Sequence, residues 1–270
     1  MKLFADEMVG QPLVVAYGMG VDSTAMLVGL RDRGIRPDLI MFADTGSEKA
    51  ETYAYLPIIN AWLGKVGFPA VTVVRRKISR KGDRTLEDEI IRLKTLPSLA
   101  FGFKTCSMKW KADPQNQYVN RWELARRAWG EGLKVIKCIG YDNGKADSRR
   151  VKPIVDAKYD LWYPLREWGW DRAECIAQIE GAGLPVPVKS ACYFCPGTKK
   201  AELLGYVETN PDYVQRGIQI ERNASVRLTK STKGLGRSWT WEETFASVGL
   251  TASAQTATLA SPMAGVAVAA

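Results

Sequence analysis

The chain of 270 residues contains no histidine. Imidazole is thereby excluded as general base, nucleophile and metal ligand, so any metal must rest on cysteine or carboxylate. Long apolar runs are missing as well: nothing approaches the roughly 20 residues of a membrane span, and no membrane partner is expected. The segment MKLFADEMVG lacks the basic and then apolar pattern of a secretory signal, and the 5 cysteines are an odd number. These features point to a reducing cytoplasm, with thiols in preference to disulfides. The closing segment TASAQTATLASPMAGVAVAA is almost free of charge and offers few bulky groups to pack. It reads as a disordered tail over 251–270.

Charge of one sign is in excess. Lysine and arginine outnumber aspartate and glutamate 38 to 29, a net +9, which favours a polyanionic partner, nucleic acid or nucleotide. A solvated basic surface is the plainer alternative. The length and 46% apolar content suit one principal core with a small appendage.

Four short runs rich in β-branched residues, Leu13 to Tyr17, Asp38 to Ala43, Ala70 to Val74 and Leu133 to Ile139, have the pattern of strands covered on both faces. Helical spacing lies between them at Ser23 to Arg33, Ala50 to Val66, Thr85 to Leu96 and Gln117 to Trp129. This alternation predicts an α/β fold, a Rossmann-like parallel sheet with helices on both faces. After Tyr163 the pattern changes, with helices expected over Arg172 to Ala182 and Lys199 to Glu208. The organisation expected is a nucleotide-binding core over 1–160, a cysteine-containing elaboration over 161–250 and the tail. Trp162, Trp168 and Trp170 flank Arg166 and Glu167 and read as packing in preference to base stacking.

The first strand opens into Gly18, Met19, Gly20, Val21, Asp22 and Ser23, where a helix begins. Small residues there let backbone amides approach a phosphate, and the helix end adds positive potential. No lysine stands in the loop, so it is not the GxxxxGK[ST] loop of common ATPases. The second strand ends in Asp44, Thr45, Gly46, Ser47 and Glu48, a polar cluster at the edge where open α/β sheets bind ligands.

GMGVDST together with FADTGSEKAETY resembles the PP-loop (adenine nucleotide alpha hydrolase) superfamily, specifically its phosphoadenosine phosphosulfate (PAPS) reductase-like branch, whose hallmarks are SGGxDS and DTGxxxPET. Gly20, Asp22 and Ser23 keep the first motif; Asp44, Thr45, Gly46, Glu48, Glu51 and Thr52 keep the second. Gly18 stands for the usual serine, Ala50 for the proline, and Met19 for a glycine. A side chain at Met19 either narrows the phosphate cradle or demands a different backbone angle. The resemblance runs on through Cys106, Lys111 and Pro114, then IGYDNGKADSRRV, YPLREWGWD and KSACYFCP, covering 12 to about 222. It is similar there to a subgroup common in phages and prophages and related to DNA phosphorothioation sulfurtransferases. The resemblance implies a HUP-type core, ATP (or PAPS) held with Mg2+, and cleavage between α and β phosphates with release of pyrophosphate. Nucleotide contacts would fall to Gly18, Gly20, Asp22, Ser23, Asp44, Thr45, Gly46, Glu48, Arg149 and Arg150. Asp44, Cys106 and Lys111 are the catalytic candidates.

Cys192 and Cys195 form a CxxC before Pro196, a pattern of moderate specificity for metal or redox use. Cys106 lies among Lys104, Lys109 and Lys111, whose charge would favour its thiolate. Cys138, in an apolar strand, and Cys175, on a helix, read as buried hydrophobes. In relatives the equivalents of Cys106, Cys192 and Cys195 hold a [4Fe–4S] iron–sulfur cluster, which implies three protein ligands here and an iron open to sulfide or substrate sulfur. A zinc clip or a free thiol pair is the alternative.

Three functions compete. The leading one is an ATP-using, iron–sulfur sulfurtransferase-like enzyme acting on nucleic acid or nucleotide, with sulfide or a sulfur donor protein as partner. A PAPS or adenylyl sulfate reductase would need the family's ECGxH segment, and no histidine and no cysteine follows Cys195. The third is a non-catalytic nucleotide- or nucleic-acid-binding module with a zinc clip.

Overall fold

A computed structural model describes residues 10–78, 80–151 and 155–249. The expected tail over 251–270 lies outside the described residues. Five strands, β1 (Leu13–Ala16), β2 (Leu39–Asp44), β3 (Val71–Arg75), β4 (Val135–Ile139) and β5 (Tyr159–Trp162), form one sheet in the order β3-β2-β1-β4-β5. Every pairing is parallel, and the α/β fold with helices flanking a parallel sheet is as the sequence pattern predicts. All six residues of β2 are buried, which accounts for the unbroken apolar run over 39–43 that leads into Asp44.

β5 is the strand that the apolar pattern does not mark. Its four residues Tyr-Asp-Leu-Trp include an aspartate and lie at the sheet edge, half buried in the middle. The boundary expected at 160 falls inside it.

The helices are α1 (Val21–Asp32), α2 (Ala50–Lys65), α3 (Leu86–Arg92), α4 (Thr105–Ser107), α5 (Asp113–Val119), α6 (Glu123–Gly130), α7 (Lys145–Ser148), α8 (Pro164–Glu167), α9 (Arg172–Gly181), α10 (Lys200–Thr209), α11 (Pro211–Ala224) and α12 (Trp241–Ala246). Where one helix is expected over Gln117 to Trp129, α5 and α6 meet at a break, because Trp122 turns extended (φ −70°, ψ 128°) as the cap of α6. Between α4 and α5 a π-helical turn over Met108–Ala112 keeps the backbone helical. Such a turn advances the following side chains by one extra residue and is common at functional sites.

Two cores hold the site between them. The first lies under the sheet on α1, where a Cβ on Gly29 would meet Trp168 at 2.2 Å, so only glycine fits. Trp168 stacks edge-on against Trp162 and Trp170 at 6.2 and 5.1 Å; these tryptophans are packing groups. The second core gathers Leu86, Trp110, Cys192, Phe194, Ile218 and Trp241 from α3, the π turn, the CxxC loop, α11 and α12.

Candidate functional site

The chain runs outward from β1 through β2 to β3 and then returns to β4 on the other side, so the sheet's direction of growth reverses between β1 and β4. Ligands of open α/β sheets sit outside the carboxyl ends of the strands at this point. The loop after β1 occupies it. Ser23 Oγ accepts the Gly18 N–H at 3.2 Å and donates to the Gly20 carbonyl at 3.1 Å, which closes the loop on itself. Gly20 caps α1 without any side-chain bond, leaving the first amides of a 12-residue helix without intrahelical acceptors. At the neighbouring strand end, a Cβ on Gly140 would lie 3.0 Å from Ser23 Cα and N, so the β4 exit presses directly on the loop.

Met19 takes the left-handed conformation at φ 61°. This is the backbone angle that a glycine usually supplies. Its side chain is 1% exposed and packs in the first core, so of the two expected consequences the backbone angle is the one realised.

Asp22 receives Arg172 Nη1 at 2.8 Å. Burial pushes the Asp22 carboxyl up, Arg172 pulls it back, and Asp142 and Asp147 push it further. Arg150, expected to meet phosphate, pairs with Asp147 at 2.9 Å and lies 4.1 Å over the Tyr141 ring. Arg149 is exposed.

The second motif is locked from within. Asp44 Oδ1 accepts Tyr53 Oη and the Gly46 N–H, both at 2.7 Å, while Oδ2 accepts Arg75 Nε at 2.8 Å. Asp44 is 2% exposed with both oxygens engaged, the arrangement of a group that shapes the loop. Gly46 has φ 68°, and a Cβ there would meet Thr85 at 2.6 Å. Glu48 points inward: Oε1 takes Lys111 Nζ at 2.8 Å and Thr45 Oγ1 at 3.0 Å, while Oε2 is buried with no hydrogen-bond partner.

The CxxC loop is fastened to this motif. Glu48 and Cys192 form an antiparallel bridge, and Tyr193 N–H donates to the Ser47 carbonyl at 3.1 Å. Cys192 Sγ lies 3.4 Å from Thr45 Oγ1, and Cys195 Sγ accepts the Gly197 N–H at 3.4 Å. A Cβ on Gly20 would stand 3.4 Å from Ser190 Cβ, so the segment leading into the CxxC also touches the phosphate-type loop. One constellation therefore joins the first motif, the second motif, Lys111 and the two thiols.

Burial pushes the Cys192 thiol well up, as does Glu48, against Lys111 and Thr45. Burial likewise raises Cys195, against Gly197, Lys189 and Lys111, with Cys106 adding to the rise. Burial alone would lower Lys111; Glu48, Cys192 and Cys195 instead hold its ammonium above the usual lysine range.

Two of the three lysines expected to activate Cys106 are otherwise employed. Lys111 pairs with Glu48, and Lys109 pairs with Glu89 at 2.5 Å, because those carboxylates are buried and need counter-charge. Cys106 is half buried, and its N–H donates to Ser98 Oγ at 2.9 Å. Cys138 and Cys175 are fully buried in the first core, and burial pushes Cys175 to about 12.

Among the described residues, no three His, Cys, Asp or Glu side chains are gathered closely enough to hold one metal ion. A zinc ion would demand four such ligands at about 2.0–2.3 Å. Cys195 is nevertheless near enough to raise the Cys192 thiol, and Cys106 near enough to raise Cys195.

Sequence reasoning does not find Arg75 or Tyr53 as partners of Asp44, since Arg75 meets it through the pairing of β2 with β3 and Tyr53 reaches it from α2. No family model matches the chain, and no curated protein matches it.

Proposed function

We propose that this chain is a nucleotide-activating enzyme that hands sulfur to an activated acceptor, with ATP bound at the loop after β1. The observation that carries this reading is the fastening of the CxxC loop onto the second motif through the Glu48–Cys192 bridge. Thiols and a nucleotide crevice joined by main-chain bonds favour one reaction centre over two unrelated features.

In this reading an acceptor oxygen attacks the α-phosphorus of ATP. The bond to the β-phosphate breaks and pyrophosphate leaves with its electron pair. The α1 amides and the loop after β1 bind the phosphates, with magnesium neutralising their charge. Sulfide, or sulfur from a donor protein, then displaces AMP from the acceptor. Asp44 acts as a positioning residue that holds the Gly46 turn, and Lys111 supplies positive charge beside the thiols.

The donor set of three thiols, with the unpartnered Oε2 of Glu48 nearby, suits a multi-iron cluster better than a single ion, since a cluster holds its thiolates farther apart. Cys106, Cys192 and Cys195 would hold it. When bound it supplies an iron position without a protein ligand, at which sulfide can attach.

The test is pyrophosphate exchange into ATP, with iron and acid-labile sulfide measured on protein purified without oxygen. Exchange that depends on Asp22 and Ser23 is expected, with about four irons per chain. No exchange with any acceptor, or a colourless protein after reconstitution, overturns the reading.

A further inference from the structure

Basic charge gathers at one strand end outside the site described above. After β3 the chain runs RRKISRKGDR over residues 75–84, six lysines and arginines against one aspartate. Two of the cations are turned inward, Arg75 onto Asp44 at 2.6 Å and Arg76 onto Glu89 at 3.1 Å. Lys77, Arg80, Lys81 and Arg84 are exposed. A cavity of about 390 Å³ opens at the same place, between β3 and the break that separates α5 from α6. Arg75, Lys77 and Arg121 supply its cations, Tyr118 and Trp122 its aromatic walls, and Glu123 a single carboxylate.

From this juxtaposition we infer that the β3 end is a docking surface for single-stranded nucleic acid, an unpaired base entering between Tyr118 and Trp122 while the backbone follows the cations of residues 77–84. Aromatic walls accept the face of any base, and flanking cations meet the phosphates; together they are the means by which single strands are held without sequence readout. A duplex keeps its bases stacked inside and has none to offer a concave pocket. A mononucleotide would leave most of the cation run unused. β3 is an edge strand, so a polymer can continue past the pocket. Arg75 lines the cavity and also holds Asp44 of the second motif, which joins this surface to the proposed reaction centre. The inference deepens the proposed function by naming its acceptor class, yet the two fail separately because binding is measured without ATP.

The experiment is fluorescence anisotropy with labelled oligo-dT and oligo-U of about 12 nucleotides, within the usual site sizes, over a range of salt. Wild type is expected to bind both single strands better than a duplex of the same length, and more weakly as salt rises. Lys77→Ala with Arg121→Ala should cost about tenfold in affinity and reduce the salt slope by about 1.4, the share of two phosphate contacts on a single strand. Arg227→Ala with Lys230→Ala removes the same charge elsewhere and should change little. Tyr118→Leu should weaken binding at high salt, where stacking dominates. Circular dichroism shows that the variants are folded, and Lys77→Gln alone serves if the double variant is not. No binding by wild type, equal loss in the two double variants, preference for duplex, or full displacement by AMP would each overturn the proposal.

Discussion

Lys111 Nζ lies 2.8 Å from Oε1 of Glu48, a carboxylate side chain with no solvent exposure. The π turn that carries Lys111 and the strand end that carries Glu48 meet only in the folded state, and their meeting sets the charge beside Cys192. An uncompensated buried charge costs about 3–5 kcal/mol. The Lys111 side chain keeps 33% exposure, so solvent screening lowers the expected loss on Lys111→Met to roughly 2–3 kcal/mol. Glu48→Gln in the same chain should recover most of that loss, because it removes the orphaned charge. Urea denaturation of the two single variants and the double variant measures the coupling; additive losses would mean that the pair is not formed.

Met19→Gly separates the backbone from the side chain of the loop. A bulky residue at φ 61° carries a strain of roughly 1–3 kcal/mol, which glycine removes. The same change deletes a side chain that is 1% exposed in the core, a loss of about 2–5 kcal/mol by analogy with other buried methionine truncations. Net destabilisation of about 1–2 kcal/mol is expected from these opposed terms, with pyrophosphate exchange retained. Thermal denaturation and the exchange assay on one preparation check it; lost exchange in a folded variant would mean that Met19 itself contributes to the phosphate cradle.

The five thiols should label in two groups. Cys106 and Cys195 are half buried, whereas Cys138, Cys175 and Cys192 are buried. Burial raises Cys138 and Cys192 well above the ordinary thiol range, which leaves little thiolate to react near neutrality. In metal-free protein, iodoacetamide followed by peptide mass spectrometry should find Cys106 and Cys195 modified first. Cys192 reacting as fast as Cys106 would show that the CxxC loop is not seated on Glu48.

Four of the five strands are legible in the sequence because β1 to β4 are short, mostly apolar runs rich in β-branched residues, the signature of strands covered on both faces. β5 is not, since four residues with an aspartate at a sheet edge carry too little pattern. The approach of the CxxC to the second motif is not legible, because the hydrogen bond from Tyr193 to Ser47 that fixes it joins residues far apart in the sequence. The roles of the lysines are misjudged from sequence alone for a physical reason. Neighbouring cations along the chain suggest an activated Cys106, whereas Glu48 and Glu89, distant in sequence and buried in the fold, compete for Lys111 and Lys109. The break between α5 and α6 is hidden because Trp122 satisfies helical spacing while its backbone turns extended as the cap of α6.

Glu221 should impose a pH dependence on stability. It is 5% exposed, and Oε1 accepts the Leu235 N–H at 2.7 Å while Oε2 accepts the Trp241 N–H at 2.9 Å. Burial pushes its carboxyl up from 4.5 to about 7, against the pull of those backbone donors. A folded-state value above the unfolded one means that the folded protein binds the extra proton between the two. The stabilisation is therefore complete below about 4.5, declines as pH rises toward about 7, and is gone above that. The full span corresponds to at most about 3 kcal/mol. Glu221→Gln should flatten this slope relative to wild type, and it should also lower stability throughout, since an amide nitrogen would face a backbone N–H where a carboxylate oxygen now accepts. Urea midpoints from pH 4.5 to 8 on both proteins measure it; parallel curves would mean that Glu221 titrates as an ordinary carboxylate held charged by its backbone donors.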